Sequence, residues 1–368
     1  EENAAEGKLV TGIDVYTHNN LRQLIEHLQG KIKLQPLPKE NILQNLDRAY
    51  DVDFADVKGQ PVARRALEIA AAGGHSILMM GAPGCGKTML ARRLVTILPP
   101  VTEAEALEIT KIYSIVNMLP ETESVMIERP FRSPHHSVSA SALLGGGTYP
   151  MPGEVTLSHN GVLFLDELPE FERYTLEMLR QPLEDGEVHI SRVRGTMNYP
   201  ARFLLIAAGN PCPCGYLGDK FRRCTCKQKD VENYRRKISG PLLDRFDMQI
   251  NLVRVEYDEL KNKATGESSS EIRKRVVEAR NVQLERFVGT GFYCNAQMTR
   301  REVVEYCQLD EAAQKILEKY FTALHLSARS HDRILKVART IADLAGSELI
   351  AAPHIAEAIQ LRTSINGQ

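Results

Sequence analysis

The chain has 368 residues, 43% hydrophobic and 25% charged, with 46 Lys and Arg against 47 Asp and Glu. At about 150 residues per domain this is material for two to three domains with a sizeable core. The near-zero net charge excludes a global cationic coat for nucleic acid or an acidic tail, and no apolar run approaches the ~18 residues of a membrane helix. Seven cysteines, an odd number without a secretory signal, argue against a disulfide scaffold and for a reducing, cytoplasmic setting. The chain opens on Glu1 and enters a strand-like stretch almost at once, as part of a longer protein would.

Residues 10–30 read as a short strand and then an amphipathic helix. Asn20 is its N-cap, Leu21, Leu24, Ile25 and Leu28 form its apolar face, and Gly30 is its stop. Residues 1–36 are therefore expected to be the trailing end of an upstream domain. Residues 37–52, opened by Pro38, should be a linker. An α/β core is expected over 53–262. Its apolar runs Ser76–Met80, Gly161–Leu165 and Phe203–Ala207 suit strands buried on both faces of a mostly parallel sheet. Residues 258–270 read as a hinge, and 263–368 as a helical domain. In the latter Thr299 and Glu302 form a capping box, Asp310 caps a helix carrying Leu317, Phe321 and Leu324, and Pro353 sits in a first helical turn.

Gly81-Ala82-Pro83-Gly84-Cys85-Gly86-Lys87-Thr88 matches G-x-x-x-x-G-K-[ST] in full, between a predicted strand and a helix running from Met89 to Leu98. Its glycines let backbone N–H groups surround the phosphates of ATP. Lys87 reaches the β/γ-phosphates, and Thr88 ligates Mg²⁺. Leu163-Phe164-Leu165-Asp166-Glu167 supplies the second half: Asp166 holds Mg²⁺ through water and Glu167 polarises the attacking water. Asn210 closes the third strand, where its amide would orient that water, and Arg245 has the planar fork that suits a phosphoryl group in transition. An Asn is commonly a turn residue and an Arg a surface charge, but their order behind a phosphate loop assigns them to hydrolysis.

Residues 191–245 hold twelve Lys or Arg and only four acids, an electrostatic footprint for phosphates or else a solvated face. Overlapping its start, Glu187–Gly195 alternates like one arm of a hairpin. Arg192 and Arg194, two apart, would share a face and track a nucleic-acid backbone, while Tyr149 is a candidate for base stacking. Cys212, Cys214, Cys224 and Cys226 offer four thiolates to one structural Zn²⁺. The C-x-C spacing is tighter than usual, and free cysteines or a redox-labile pair are the alternatives. Cys85 reads as a small filler of the phosphate loop. His135 and His136, without acids or cysteines nearby in sequence, read as polar residues of open chemistry.

Together these residues resemble an AAA+ ATPase: Walker A at 81–88, Walker B at 162–167, a sensor-1 Asn at 210, an arginine finger at 245 and a helical lid. Lys87 and Asp166 stand 79 residues apart, room for the helix-2 insert of the branch holding magnesium chelatase and the MCM helicases. Phe131-Arg132-Ser133-Pro134-His135-His136, Gly145-Gly146-Gly147, Pro152-Gly153-Glu154, Gly161–Phe171 and Ile238–Arg245 resemble the ComM/YifB family, which has a similar Cys-Pro-Cys-Gly and second cysteine pair. The resemblance runs from about residue 9 to 363. It implies a Lon-protease-like upstream domain whose last strand and helix residues 1–36 resemble. It also implies a homo-hexameric ring with Arg245 acting in trans and a sensor-2 arginine in the lid, Arg329 in preference to Arg333. A hairpin before sensor 1 would project into the pore. The implied activity is an ATP-driven DNA helicase promoting branch migration on single-stranded and branched DNA, without sequence preference, during natural transformation and homologous recombination. The other readings are a motor subunit of a magnesium-chelatase-like complex and a protein-remodelling ring.

Overall fold

Five short parallel strands carry the fold, and the three in its centre are buried at every residue. The computed structural model describes residues 13–37, 50–119, 125–192, 195–256, 266–323 and 326–363. The chain divides into two units, residues 1–49 with 100–129, and residues 50–99 with 130–368.

In the first unit a helix spans Leu21–Leu28, with the Asn20 side chain accepting from the Gln23 amide at 3.0 Å, as its sequence dictates. Among the described residues the expected strand before it is a single antiparallel bridge, Tyr16 to Pro36. A second helix, Glu103–Ile115, opens with a Thr102/Glu105 capping box, and Glu105 pairs with Arg129 at 2.9 Å.

The second unit begins with α1 (Pro61–Gly73), β1 (Ile77–Gly81) and α2 (Lys87–Leu94). Then come β2 (Phe131–Arg132), a small antiparallel pair β3 (Gly145–Gly146) and β4 (Met151–Pro152), β5 (Val162–Leu165) and the short helix α3 (Arg180–Asp185). The hairpin β6 (Glu187–Arg192) and β7 (Gly195–Pro200), β8 (Leu204–Gly209), α4 (Gly240–Leu243) and β9 (Met248–Leu252) complete the α/β part. The helical part comprises α5 (Ser269–Arg286), α6 (Arg300–Tyr306), α7 (Glu311–Ala323), α8 (Ala328–Leu344) and α9 (Ala352–Thr363).

The sheet order is β2-β5-β8-β1-β9, all parallel. Side chains alternate between two cores, as a period of two requires. Ile77, Met79, Val162, Phe164, Ile206 and Ala208 face one that also takes α1, α2 and the C-terminal helices. Leu78, Met80, Leu163, Leu165, Leu205 and Ala207 face the other, with Val188, Ile190 and Tyr199 of the hairpin. Two strands escape a search for apolar runs: β2 has only two residues, and β9 interrupts its apolar residues with Gln249 and Asn251.

The helical signals hold where residues are described. Thr299 and Glu302 form the capping box, Asp310 Oδ1 accepts from the Ala313 amide at 2.6 Å, and Pro353 lies in the first turn of α9. Leu324 lies outside the described residues, as does the linker over 38–49. Of the expected hinge, 258–265 is also outside them, while Ser268 already caps α5.

Buried charge ties the helices to the sheet. Asp247, just before β9, accepts from the Ser76 amide at 3.0 Å and pairs with Arg333 of α8 at 2.5 Å, while His75 reaches Thr340 at 2.7 Å. Burial resists ionisation of Asp247, but Arg333 and His75 hold its carboxyl well below the usual carboxylate range. Asp247→Ala should therefore lower unfolding free energy by about 3 kcal/mol, read as a fallen denaturant midpoint at constant slope. A loss under about 1 kcal/mol would give the pair only the weight of a surface contact. Because the folded carboxyl titrates lower than the unfolded one, this contribution should be complete above about pH 4 and decline as acid is added below it.

Candidate active site

Ligand chemistry in a parallel sheet gathers at the carboxyl ends of its strands. Here β5, β8 and β1 are neighbours, so the residues just past their ends converge: Asp166-Glu167 after β5, Asn210 after β8 and the glycine-rich loop after β1. They line one cavity of about 380 Å³, with Pro83, Gly84, Gly86, Lys87, Thr88, Met89, Asp166, Glu167, Gly209 and Asn210 in its wall. Gly86, left-handed at φ 92°, turns the chain into α2 and directs that helix's N-terminus at the cavity.

The polar groups inside are linked. Lys87 Nζ donates to Gly81 O at 2.7 Å, Ala82 O at 3.1 Å and Asn210 Oδ1 at 3.1 Å. Burial pulls the Lys87 ammonium below its usual range, and Cys85, Asp166 and Glu167 work against that shift. Thr88 Oγ1 donates to Asp166 Oδ2 at 2.6 Å, so a hydroxyl and a carboxylate face one another as a Mg²⁺ pair would. Glu167 takes a left-handed conformation at φ 53°, uncommon for a residue with a Cβ, and its carboxylate lies 3.2 Å from His136 Nδ1. Cys85 is buried and its thiol is pushed up by that burial, which agrees with a filler.

Arg245 lies elsewhere. It lines a separate cavity of about 170 Å³ with Glu184, Arg300, Arg329, Arg333 and Lys336, none of which borders the first cavity. Only 4% of Arg245 is exposed, and its guanidinium is held by Glu184 at 2.5 Å and by the carbonyls of Pro241 and Arg180. Arg329, 68% exposed at the side chain, approaches the same Glu184 at 3.6 Å. Arg333 is instead committed to Asp247 and to the Arg245 carbonyl. The structure thus brings Lys87, Thr88, Asp166, Glu167 and Asn210 together, and separately Arg245 with Arg329.

The four clustered cysteines lie directly after Asn210, and their Sγ atoms are all within 4.8 Å of one another. Cys212–Cys214, Cys214–Cys224 and Cys212–Cys224 are 3.4, 3.6 and 3.7 Å apart, too long for disulfides. They are close to the edge of roughly 3.8 Å in a tetrahedron with 2.3 Å metal–sulfur bonds. The Cys214 amide donates to Cys226 Sγ at 3.4 Å, and backbone donors at Thr225 and Tyr216 lower the Cys214 thiol to about 5. The donor set fits a metal ion.

The hairpin β6–β7 is formed in register from Glu187–Pro200 to Arg192–Gly195, and Tyr199 OH donates to Pro150 O at 2.8 Å. Tyr149 and Met197 are exposed. Arg192 closes β6, and Arg194 lies outside the described residues.

A phosphate loop, a Walker B acid pair and a polar residue after the strand between them, on this sheet and beside a helical domain, define an AAA+ ATPase of the magnesium chelatase type. Residues 53–260 match the family described as magnesium chelatase, subunit ChlI, and residues 266–362 match the ChlI C-terminal family. Within that class the chain belongs to the ComM/YifB family. It is 43% identical to Competence protein ComM of Haemophilus influenzae over 369 residues, 99% of this chain and 71% of that protein. It is 44% identical to YifB of Salmonella typhimurium over 363 residues, 98% and 70% of the two chains. The magnesium-chelatase 38 kDa subunit of Rhodobacter capsulatus is 26% identical over 176 residues, 43% of this chain and 50% of that one. No described helix is long and apolar enough to cross a membrane.

Three site contacts escape a reading of the sequence, His136 against Glu167 and Glu184 against both Arg245 and Arg329; none has a local motif. His136→Ala should leave nucleotide affinity within about twofold and lower ATP turnover by about ten- to a hundredfold, the cost of a misoriented Glu167. Equal turnover in single-turnover assays of the two proteins would make that contact incidental.

Proposed function

We propose that the chain is the motor of a homo-hexameric ring that hydrolyses ATP between subunits and drives branch migration of DNA during the integration of single strands in transformation and recombination. The observation that carries the ring is the separation of the two sites: the hydrolysis residues line one cavity, and Arg245 with Arg329 lines another that shares none of them. An arginine pair so placed serves a neighbour's nucleotide. Arg245 would be handed over from Glu184, with Arg329 as sensor 2.

The chemistry assigns each residue one task. Lys87 binds the β/γ-phosphates, Glu167 takes the proton of the attacking water, Asn210 orients that water, and Arg245 of the adjacent subunit offsets charge as it spreads over the transferring phosphoryl group. Thr88 and, through water, Asp166 would hold Mg²⁺, which neutralises phosphate oxygens when bound. The four thiolates Cys212, Cys214, Cys224 and Cys226 would hold Zn²⁺ in a closed, structural site.

DNA is favoured as the track by the hairpin β6–β7 at the start of the basic stretch and by the relative named Competence protein ComM. Arg192 and Arg194 would contact phosphates without reading bases, which suits a translocase in the cytoplasm. The match to the magnesium chelatase family supports a second reading, a motor subunit that works on a partner complex.

Glu167→Gln should bind ATP and hydrolyse it at least about a hundredfold more slowly, and Lys87→Ala should weaken nucleotide binding. Forked or four-way DNA should raise steady-state ATP turnover several-fold at fixed moderate salt, and the double change Arg192→Ala, Arg194→Ala should abolish that increase. Turnover indifferent to every DNA would shift the assignment to the chelatase-like reading, and a stimulated double variant would remove the hairpin from the DNA contact.

A further inference from the structure

The loop that carries the four cysteines is also a wall of the nucleotide site. It leaves β8 at Asn210, whose Oδ1 accepts from Lys87, and reaches Cys212 two residues later. Gly215 then packs on the phosphate loop. A Cβ added there would lie 2.7 Å from Pro83 Cδ and 2.8 Å from its Cγ, and the residue's φ of 84° favours glycine. Arg254, beyond β9, closes the contact from outside. Its Nη2 donates to Pro83 O at 3.4 Å, its Nε pairs with Asp219 Oδ2 at 3.1 Å, and its guanidinium lies over the Tyr216 ring at 5.6 Å. Arg222 stacks on that ring as well, at 4.2 Å, and Asp219 Oδ1 accepts from the amides of Phe221 and Arg222. Between the two cysteine pairs, then, every one of these contacts fastens the loop either to itself or to Pro83 and Arg254.

We propose that a metal ion held by Cys212, Cys214, Cys224 and Cys226 sets the nucleotide affinity of this protein, with Gly215 and Arg254 as the positioning residues that transmit the loop's geometry to Pro83 and Asn210. The inference rests on the metal reading of the four thiols. A closed four-thiolate site has no open position for chemistry, so what it supplies is rigidity. Here rigidity is applied at two points of the cavity wall, Pro83 and Asn210. Without the metal the loop from 212 to 226 would keep its contacts with Pro83, Arg254 and Glu256 and its own turns, but no ion would join its two cysteine pairs. The phosphate loop would then lose its outer support, and nucleotide binding would have to restore the order, which lowers affinity.

The test uses the full chain and three readouts: zinc content by atomic emission, affinity for a fluorescent ATP analogue, and KM and kcat for ATP. The parent should carry one zinc per chain. Cys226→Ser should lose the metal and bind the analogue about tenfold more weakly, a change of about 1.4 kcal/mol. Arg254→Ala and Gly215→Ala keep all four thiols. They should retain the zinc and an unchanged circular dichroism spectrum, yet raise KM about fivefold or more with kcat within about twofold. If Cys226→Ser does not fold, these two variants carry the test. Zinc-loaded parent with undiminished affinity in Arg254→Ala and Gly215→Ala would overturn the coupling and leave the metal reading standing. Weakening in Arg254→Ala alone, with Gly215→Ala and Cys226→Ser unaffected, would make Arg254 a direct phosphate contact and also overturn it. A parent that takes up no zinc, even when incubated with the ion under reducing conditions, would overturn the metal reading and the coupling with it.

Discussion

A sheet whose two faces are both covered leaves only its edges and strand ends to solvent, and that constraint organises the rest of this molecule. Polar groups cannot lie along β5, β8 or β1, where every residue is buried. They collect beyond Leu165, Gly209 and Gly81, and the parallel order places those three ends side by side. Asn210 thereby falls between the phosphate loop and the acid pair, and it accepts directly from Lys87. Residues of this cavity separated by more than a hundred positions in the chain need no device to find one another beyond the pairing of the strands.

The second organising element is the turn from Leu243 to Asp247. Phe246 is fully buried and Arg245 is 4% exposed, while the turn's backbone is fastened to the helical domain: Arg333 donates to Arg245 O at 2.7 Å and Arg362 to Phe246 O at 2.7 Å. A displacement of α8 or α9 is thus mechanically joined to the arginine that lines the second cavity. Glu184, which faces both Arg245 and Arg329, is the acid that releasing either arginine would leave behind.

The parts legible in the sequence are those specified over short spans. The phosphate loop and the helix caps at Asn20, Thr299 and Asp310 depend on neighbours within a few residues, and the structure forms them; the hairpin arm read as Glu187–Gly195 instead ends at Arg192, with Gly195 opening the opposite strand. The helix after the phosphate loop reads in sequence as reaching Leu98, but the α-helix ends at Leu94 and gives way to a single 3₁₀ turn, Val95–Ile97. The contacts that no sequence pattern discloses are those made by folding alone: His136 with Glu167, Glu184 with Arg245, Arg254 with Pro83, Asp247 with Arg333. The arginine expected to be offered to a neighbour is a case in point. Its guanidinium pairs with Glu184 in α3, and no spacing rule relates positions 184 and 245.

The sheet order also has a consequence for synthesis. β1, which carries the phosphate loop, is flanked by β8 and β9, so neither of its neighbours exists until more than a hundred further residues have been made. At ribosomal rates of about 5–20 residues per second, the loop waits on the order of ten seconds without the strands that hold it in shape. The apolar residues of β1 stay unpaired for that time, since pairings this distant in sequence form late. The nascent chain therefore cannot engage nucleotide piecemeal: the ATP site comes into being only when β8 and β9 close on β1, and by then all four cysteines and Arg245 have already been added to the chain.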